Sequence, residues 1–307
     1  MINNLKDKRI ALLYGGYSSE RDISIKSGKA VEEALKKLNL NYRVFDPIER
    51  EKFIQDLVQY NPDVVFIALH GKGGEDGTIQ GVLDFLGFKY TGSPQKASVI
   101  AMDKILSKKL VKFHNILTPN WHTIKSKEEL KNIGKEFPKV VKAPAEGSSI
   151  GVFIVNNEEE LNKAVEECFK YDNEVLIEDF IKGREITVGV LNGMPLDIIE
   201  IKVANGFYDF KNKYFSNKTE YLCPAPIDKE KYEEIKKTAK EIYDIIGCKG
   251  AARVDFILDD KGNAYFLEIN TIPGLTDHSL LPKAAKCKGI EFPELIVKIL
   301  EGALDGE

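Results

Sequence analysis

Cysteine is scarce in this chain. Cys168, Cys223, Cys248 and Cys287 are the four among 307 residues, and they are scattered without a Cys-x-x-Cys pair. Neither a disulfide scaffold nor a zinc module can then be the organising principle, and the four histidines show no metal-finger spacing. Long apolar runs are also missing. The longest clean one, Val64 to Leu69, falls far short of a membrane span, and the run that ends at Gly15 is too short for the core of a signal peptide. Nor is there a surplus of positive charge: 44 Lys and Arg stand against 48 Asp and Glu, a formal charge of −4. That balance disfavours a protein that holds nucleic acid through a basic surface, while a few local cations could still hold a nucleotide or another small anion. What is present, 43% hydrophobic and 30% charged residues, is the make-up of an ordinary soluble globular protein. At the usual ~150 residues each, the length suffices for about two domains. The expectation is a cytoplasmic enzyme with no membrane partner.

Residues 9–70 alternate strand and helix. Arg9 to Tyr14 is a short apolar run closed by Gly15-Gly16, as in a buried parallel strand. Val31, Ala34, Leu35 and Leu38 then recur at i, i+3, i+4, i+7, one apolar helical stripe. Asn41–Phe45 reads as a strand, Phe53–Gln59 as a helix and Val64–Leu69 as a third strand. Such repetition predicts a parallel sheet with ligands at the strands' C-terminal ends, where Gly15-Gly16 and His70–Gly74 lie. From about Ser93 the character changes. Pro119, Pro138 and Pro144 punctuate strands at 139–142 and 152–155, a helix at 158–169 and a strand at 174–178. Beyond Arg184 strands dominate (184–191, 196–203, 252–258, 264–269), with a helix near 229–246. A last amphipathic helix carries Phe292, Leu295, Ile296, Ile299 and Leu300 on one face. No internal repeat or long linker interrupts this order. Three lobes are expected, 1–95, 96–182 and 183–307: one α/β, two of α+β character.

Five segments carry chemistry. Lys142-Ala-Pro-Ala-Glu-Gly-Ser-Ser-Ile-Gly151 lies between two strands, and its small residues, with the Ser148 and Ser149 hydroxyls, could let backbone N–H groups cradle a phosphate. An ordinary hairpin loop has the same composition. Ala251–Leu258 and Ala264–Asn270 read as a hairpin around Asp259–Asn263. If Asp260–Asn263 is the loop, Asp259 pairs with Ala264. Asp255 then lies opposite Glu268 and Arg253 opposite Asn270, while Val254, Phe256, Leu267 and Ile269 turn to the core. Two carboxylates and an amide oxygen form a hard donor set suited to Mg²⁺; a solvated polar face is the other possibility. The stretch His70-Gly-Lys-Gly-Gly-Glu-Asp-Gly-Thr-Ile-Gln-Gly81 follows a buried strand, and spacing leaves His70 as either a functional or a merely hydrogen-bonded loop residue. Glu20, in Gly15-Gly-Tyr-Ser-Ser-Glu-Arg-Asp22, would sit at a helix start, either answering the dipole or gripping an ammonium group. Ala204–Tyr221, polar with interleaved aromatics and three lysines, reads as a long loop of the kind that forms lids; single-stranded nucleic acid is the less favoured partner.

Taken together, the motifs closely resemble the D-alanine–D-alanine ligases of the ATP-grasp superfamily, from Gly15 to the final helix. The most specific are His70-Gly-x-x-Gly-Glu-Asp-Gly-x-x-Gln-Gly81, and Gly250-Ala-Ala-Arg-Val-Asp255 with Glu268-Ile-Asn-Thr-Ile-Pro-Gly274. Thr276-Asp-His-Ser-Leu280 and Phe207-Tyr-Asp-Phe-Lys-Asn-Lys-Tyr214 add to them. The resemblance implies an ATP-grasp fold, with an N-terminal Rossmann-like parallel-sheet lobe and two further lobes enclosing the nucleotide. It implies ligation of two D-alanines with ATP through an acyl phosphate, for a peptidoglycan precursor of the cell wall. It also implies a homodimer and two Mg²⁺ ions, with Mn²⁺ as a substitute, on Asp255, Glu268 and Asn270.

The family's other contacts would fall as follows. Lys104, Lys142 and Lys213 meet phosphate, with Ser149 beside them. Glu178, Asp179, Phe180 and Ile181 meet adenine through side chain and backbone, and Glu185 meets the ribose. Glu20, fixed by Ser148 and Tyr214, holds the first ammonium, and Arg253 with the Gly274 N–H forms the oxyanion site. Ser279 and the Leu280 N–H receive the second carboxylate, with His70 nearby. Relatives that accept D-lactate lack a tyrosine where Tyr214 stands, which points to an amine nucleophile here. Two departures are small: Ala143 intervenes between Lys142 and Pro144, and Arg184 stands where a proline is common. Another ATP-grasp carboxylate–amine ligase, or a non-catalytic nucleotide-binding regulator of the same fold, are the competing readings; a Rossmann oxidoreductase lacks its glycine fingerprint.

Overall fold

The structure, a computed structural model, describes residues 4–147, 151–203, 219–276 and 278–305. Its first sheet is parallel, with β1 (Ile10–Leu13) between β2 (Tyr42–Phe45) and β3 (Val64–Ile67) and Ile10 facing both Tyr42 and Val64. The period of two divides β1 and β3 between two cores. Ile10, Leu12, Val64 and Phe66 meet Val31 and Leu35 of α1 (Arg21–Lys37). Ala11, Leu13, Val65 and Ile67 meet Phe53 and Leu57 of α2 (Arg50–Tyr60) and Ile79 and Leu83 of α3 (Thr78–Leu86). Both faces are thus covered, which is why these strands read as unbroken apolar runs.

Two short helices follow, α4 (Gln95–Met102) and α5 (Lys104–Phe113), separated by Asp103, whose carboxylate caps α5 by accepting from the N–H groups of Ile105 and Leu106. Neither was expected from the sequence. The buried side of α4 is Ala97, Ser98 and Ala101, and that of α5 includes Lys104, Ser107 and Lys108, so no apolar stripe announces them. The second sheet is antiparallel, in the order β4-β7-β5-β6: β4 (Trp121–Ile124), β5 (Lys139–Lys142), β6 (Val152–Val155) and β7 (Val175–Asp179). One face is sealed by α6 (Glu158–Cys168) over Val141, Val155, Val175 and Ile177. By alternation Lys142 and Glu178 point to the other side.

The third sheet, β10-β9-β8-β11-β12, is also antiparallel: β8 (Arg184–Leu191), β9 (Met194–Val203), β10 (Thr219–Leu222), β11 (Ala251–Leu258) and β12 (Ala264–Asn270). The sequence reading placed Thr219–Tyr221 in a loop; they pair as strand with β9. Beneath α7 (Lys229–Ile246) the sheet buries Ile186, Val188, Val190, Val254 and Phe256, together with Ala97 and Ala101 of α4 and Val111 of α5. Its other face is apolar at Leu196, Ile199 and Ile201, where α8 (Leu280–Cys287) and α9 (Phe292–Asp305) join it to the core of the first sheet. The four cysteines include one disulfide, Cys223–Cys287, linking the end of β10 to the end of α8. The scattered spacing did not indicate that pair, and a single link leaves the exclusion of a disulfide scaffold in place. Cys168 and Cys248 are buried thiols. Among the described residues no helix is long and apolar enough to cross a membrane.

The β11–β12 hairpin differs from expectation by one residue and returns to it. Leu258, not Asp259, pairs with Ala264, which makes the connection 259–263. The ladder runs Ile257–Tyr265 and Phe256–Phe266, then shifts, so that Asp255 faces Glu268, Val254 faces Ile269 and Arg253 faces Asn270. Leu267 is the extra residue of this β-bulge. Phe266 consequently takes the core position assigned to Leu267: it is fully buried and meets Phe256 edge-on at 6.4 Å, whereas Leu267 is half-buried. Phe266→Ala should therefore cost about 3–5 kcal/mol of stability, and Leu267→Ala clearly less, by denaturant unfolding. Equal losses would contradict the bulge.

Candidate active site

A cleft opens where the three sheets meet. From the first come Glu20, His70 and Glu75, from α4 and α5 Met102 and Lys104, and from the β5–β6 connection Glu146 and Gly147. Arg253, Glu268 and Asn270 of β11 and β12 line it, with Gly274, Thr276, Ser279 and Leu280 beyond. Of the residues singled out in the sequence, Glu20, His70, Lys104, Arg253, Glu268, Asn270, Gly274, Ser279 and Leu280 are thus brought together. Lys142 and Glu178 lie behind this wall, both buried. Asp179 and Phe180 are exposed at the end of β7, Ile181 follows half-buried, and Glu185 is half-buried on β8 opposite Ile257. Ser148, Ser149, Lys213 and Tyr214, and residues 204–218 of the lid expected over 204–221, lie outside the described residues.

Opposite charges are paired in the cleft wall and just beneath it, where Asp255 is buried and does not line the cleft. Arg253 holds Asp255 bidentately, Nε to Oδ1 at 2.9 Å and Nη2 to Oδ2 at 2.7 Å, and Thr187 donates its hydroxyl to Oδ1 at 2.6 Å. Lys104 Nζ lies 3.2 Å from Glu268 Oε2 and donates to the Glu146 carbonyl at 2.7 Å. Burial pushes the Glu146 carboxyl up, against the pull of Lys72 and Lys104. Two carboxylates and an amide on adjacent strands are a hard oxygen donor set that fits a divalent cation, with the guanidinium and ammonium now balancing their charge. Among the described residues no group of three or more His, Cys, Asp or Glu is gathered for a metal, and the Asn270 Oδ1 accepts the Ile272 N–H at 2.8 Å.

Around this centre the backbone is held close. Glu20, 5% exposed, is the N-cap residue of α1. A Cβ on Gly147 would lie 2.6 Å from its Oε1, so only glycine lets that loop approach the carboxylate. His70 is bonded through both ring nitrogens, Nδ1 to Glu75 Oε1 at 3.2 Å and Nε2 to Ser27 Oγ at 2.9 Å. Ser27 Oγ in turn accepts the Leu275 N–H at 3.2 Å, which ties α1 to the loop after β12. Ser279 Oγ accepts the Thr276 N–H at 2.9 Å, and a Cβ on Gly274 would come within 2.7 Å of it. Arg184, the departure noted in the sequence, binds the buried Glu200 at 3.0 Å.

The sequence reading missed Glu75, Ser27, Thr187 and Lys108. Glu75 stood inside a quoted motif, five residues after His70; the other three carry no local signal. Lys108 is the largest omission. Fully buried on α5, it lies 2.6 Å from Glu178 Oε1, while Lys142 lies 2.6 Å from Glu178 Oε2. Burial alone would raise the Glu178 pKa, but the two ammonium groups overcome it and hold the carboxyl below its usual range. Two cations on one anion leave a surplus buried charge, and burial brings Lys108 down to about 8.

Comparison with known proteins gives a consistent picture. Residues 46–93 match the family model described as D-ala D-ala ligase N-terminus, and residues 106–301 the one described as D-ala D-ala ligase C-terminus. The chain is 46% identical over 299 residues to the D-alanine–D-alanine ligase of Syntrophotalea carbinolica, covering 97% of each. It is 44% identical to that of Saccharophagus degradans, over 96% of this chain and 94% of the relative. A crystal structure of the D-alanine–D-alanine ligase from Bacillus anthracis complexed with ATP is similar at a TM-score of 0.83, with 38% identity and 97% of each chain covered. A second crystal structure of that ligase is similar at 0.86, over 97% of this chain and 98% of that one.

The buried lysine has a pH signature. Between about pH 8 and 10.5 the unfolded chain binds a proton at Lys108 that the native state has released, so the lysine's contribution to stability rises with pH across that window. The stability of the wild type minus that of Lys108→Met should increase by roughly 1–3 kcal/mol from pH 8 to 10.5 in denaturant titrations. A constant gap would contradict the burial argument.

Proposed function

The chain belongs to the D-alanine–D-alanine ligase family, and from that premise we propose that it joins two D-alanines with ATP, yielding D-alanyl-D-alanine, ADP and phosphate. The pairing of Asp255 with Glu268 and of Arg253 with Asn270, which brings Arg253, Glu268 and Asn270 into the wall of one cleft with Asp255 buried beside them, carries this reading. It sets oxygen donors and a guanidinium beside the loop that bears Gly274 and Ser279. The lobes are assigned as 1–95, 96–182 and 183–307, the first receiving amino acid and the other two enclosing nucleotide.

In the first step a carboxylate oxygen of one D-alanine attacks the γ-phosphorus and the bond to the ADP oxygen breaks, giving an acyl phosphate. The second D-alanine's amine, having lost its proton, attacks the acyl carbon, and phosphate leaves from the tetrahedral adduct. Both steps bring anions together, so positioning and charge stabilisation dominate. Glu20, desolvated at its helix start, grips the first ammonium, with Ser148 and Tyr214 fixing it. Arg253 and the Gly274 N–H stabilise the oxyanion, Ser279 and the Leu280 N–H seat the second carboxylate, and His70 stands near it. Lys104, Lys142, Lys213 and Ser149 meet phosphate. Glu178 to Ile181 receive adenine, and Glu185 the ribose. Asp255, Glu268 and Asn270 would hold Mg²⁺, two ions with Mn²⁺ as substitute, which supplies neutralisation of phosphate charge. Residues 204–218 close over the site and keep water from the acyl phosphate. A cytoplasmic homodimer supplying peptidoglycan synthesis is the accompanying assignment.

Phosphate release that requires D-alanine, ATP and Mg²⁺, with D-Ala-D-Ala as product, is the expected result. Release with a different amino acid only would assign another substrate. Glu268→Ala should lower turnover by about 10²–10³-fold while circular dichroism and melting stay native; normal turnover would remove it from the site. Tyr214→Phe should let D-lactate compete better at neutral pH, and an unchanged product ratio would deny the tyrosine a role in specificity.

A further inference from the structure

Lys108 and Lys142 share one carboxylate but are not equivalent. Lys108 is 0% exposed and has a second oxygen partner: its Nζ donates to Thr118 Oγ1 at 2.6 Å. Thr118 spends its own proton on the Phe266 carbonyl at 2.9 Å, so its oxygen must accept from the lysine, and the direction of the chain is set. The Trp121 ring lies 5.0 Å from the same ammonium. Lys142, 7% exposed, stands at the end of β5, next to the 143–147 loop. Lys108 is therefore the anchored cation and Lys142 the one able to turn to phosphate. When it does, Lys108 alone keeps Glu178 ionised and in place.

Glu178 also keeps an acceptor in reserve. Lys108 approaches Oε1 to 2.6 Å, and no second donor reaches that buried oxygen, which has two lone pairs. By alternation along β7 the carboxylate points away from α6, toward the side where α5 and β12 lie. A buried, ionised acceptor with a vacant lone pair suits an exocyclic amino group and repels a carbonyl.

We propose that Lys108 is a positioning residue for nucleotide selection: anchored by Thr118, it holds Glu178 as an acceptor that admits 6-amino purines and rejects 6-oxo purines. The assignment rests on the ligase reading only in taking Glu178 to face the base. It extends that reading to a residue that touches neither nucleotide nor amino acid.

Binding of ATP and of inosine triphosphate, which has a carbonyl in place of the amino group, separates the possibilities. Both are titrated calorimetrically with Mg²⁺ into full-length wild type, Lys108→Met, Lys108→Arg and Thr118→Val. The wild type should prefer ATP by at least about tenfold. Lys108→Met should lose about tenfold in ATP affinity and little for inosine triphosphate, so the preference collapses, and in turnover the loss should appear in KM for ATP rather than in kcat. Lys108→Arg, which keeps the charge, should retain part of the preference. Equal losses for both nucleotides, an unchanged ratio, or a wild type without preference would overturn the proposal. Should Lys108→Met not fold, Thr118→Val, which keeps the lysine and removes its anchor, must narrow the ratio; an unchanged ratio there overturns it equally. Binding needs no turnover, so a wild type that selects ATP through Lys108 yet releases no phosphate with D-alanine would sink the ligase reading and leave this one standing.

Discussion

Neutralisation of carboxylates by cations from neighbouring elements is the constraint on which the cleft depends. Asp255 is held by Arg253, Glu268 by Lys104, and Glu178 by Lys108 and Lys142, each pair at 2.6–3.2 Å. An isolated carboxylate this deep would take up a proton or force the strands apart. Two of the three clusters join elements distant in sequence: α5 to β12, and α5 to β5 and β7. The contacts that balance charge are therefore also the ones that set the second sheet against the third. Phosphate and divalent cations would enter as competitors for partners already in place.

Helix α5 illustrates the arrangement. Lys104 and Lys108 stand one turn apart on its inner side, about 6 Å along the axis. The first reaches the strand with the proposed metal ligands, the second the strand proposed to face the base. The helix thereby correlates the two ends of the proposed nucleotide site through one rigid element. It is also where sequence reasoning failed. A charged residue at a core position breaks the 3.6 period that identifies a helix, and nothing local says that the partners of Lys108 arrive from 10 and 70 residues downstream.

The parallel sheet, by contrast, was legible. Ile10–Leu13 and Val64–Ile67 are apolar on both faces because both faces are covered, and that pattern survives in the sequence as a run. The β11–β12 hairpin was legible in its consequence and not in its detail. Asp255 and Glu268 face each other as derived, although the pairing at the turn is shifted by one and Leu267 bulges out to restore it. A bulge is invisible to counting, because it is chosen by whether Phe266 or Leu267 fills the space beside Phe256. His70 stood undecided, and Ser27, 43 residues away, turned out to be one of its partners.

The sequence by itself determined what depends on neighbours along the chain: the strand and helix order, the alternation that sorts Arg253 and Asp255 from Val254 and Phe256, and the motifs that identify the family. Only the tertiary structure decided which cation answers which acid, that a lysine lies in the interior, and where the sheet bulges. Periodicity is a property of covalent order and reads directly. Charge compensation and packing are properties of proximity between distant segments, and they exist only once the chain has closed on itself.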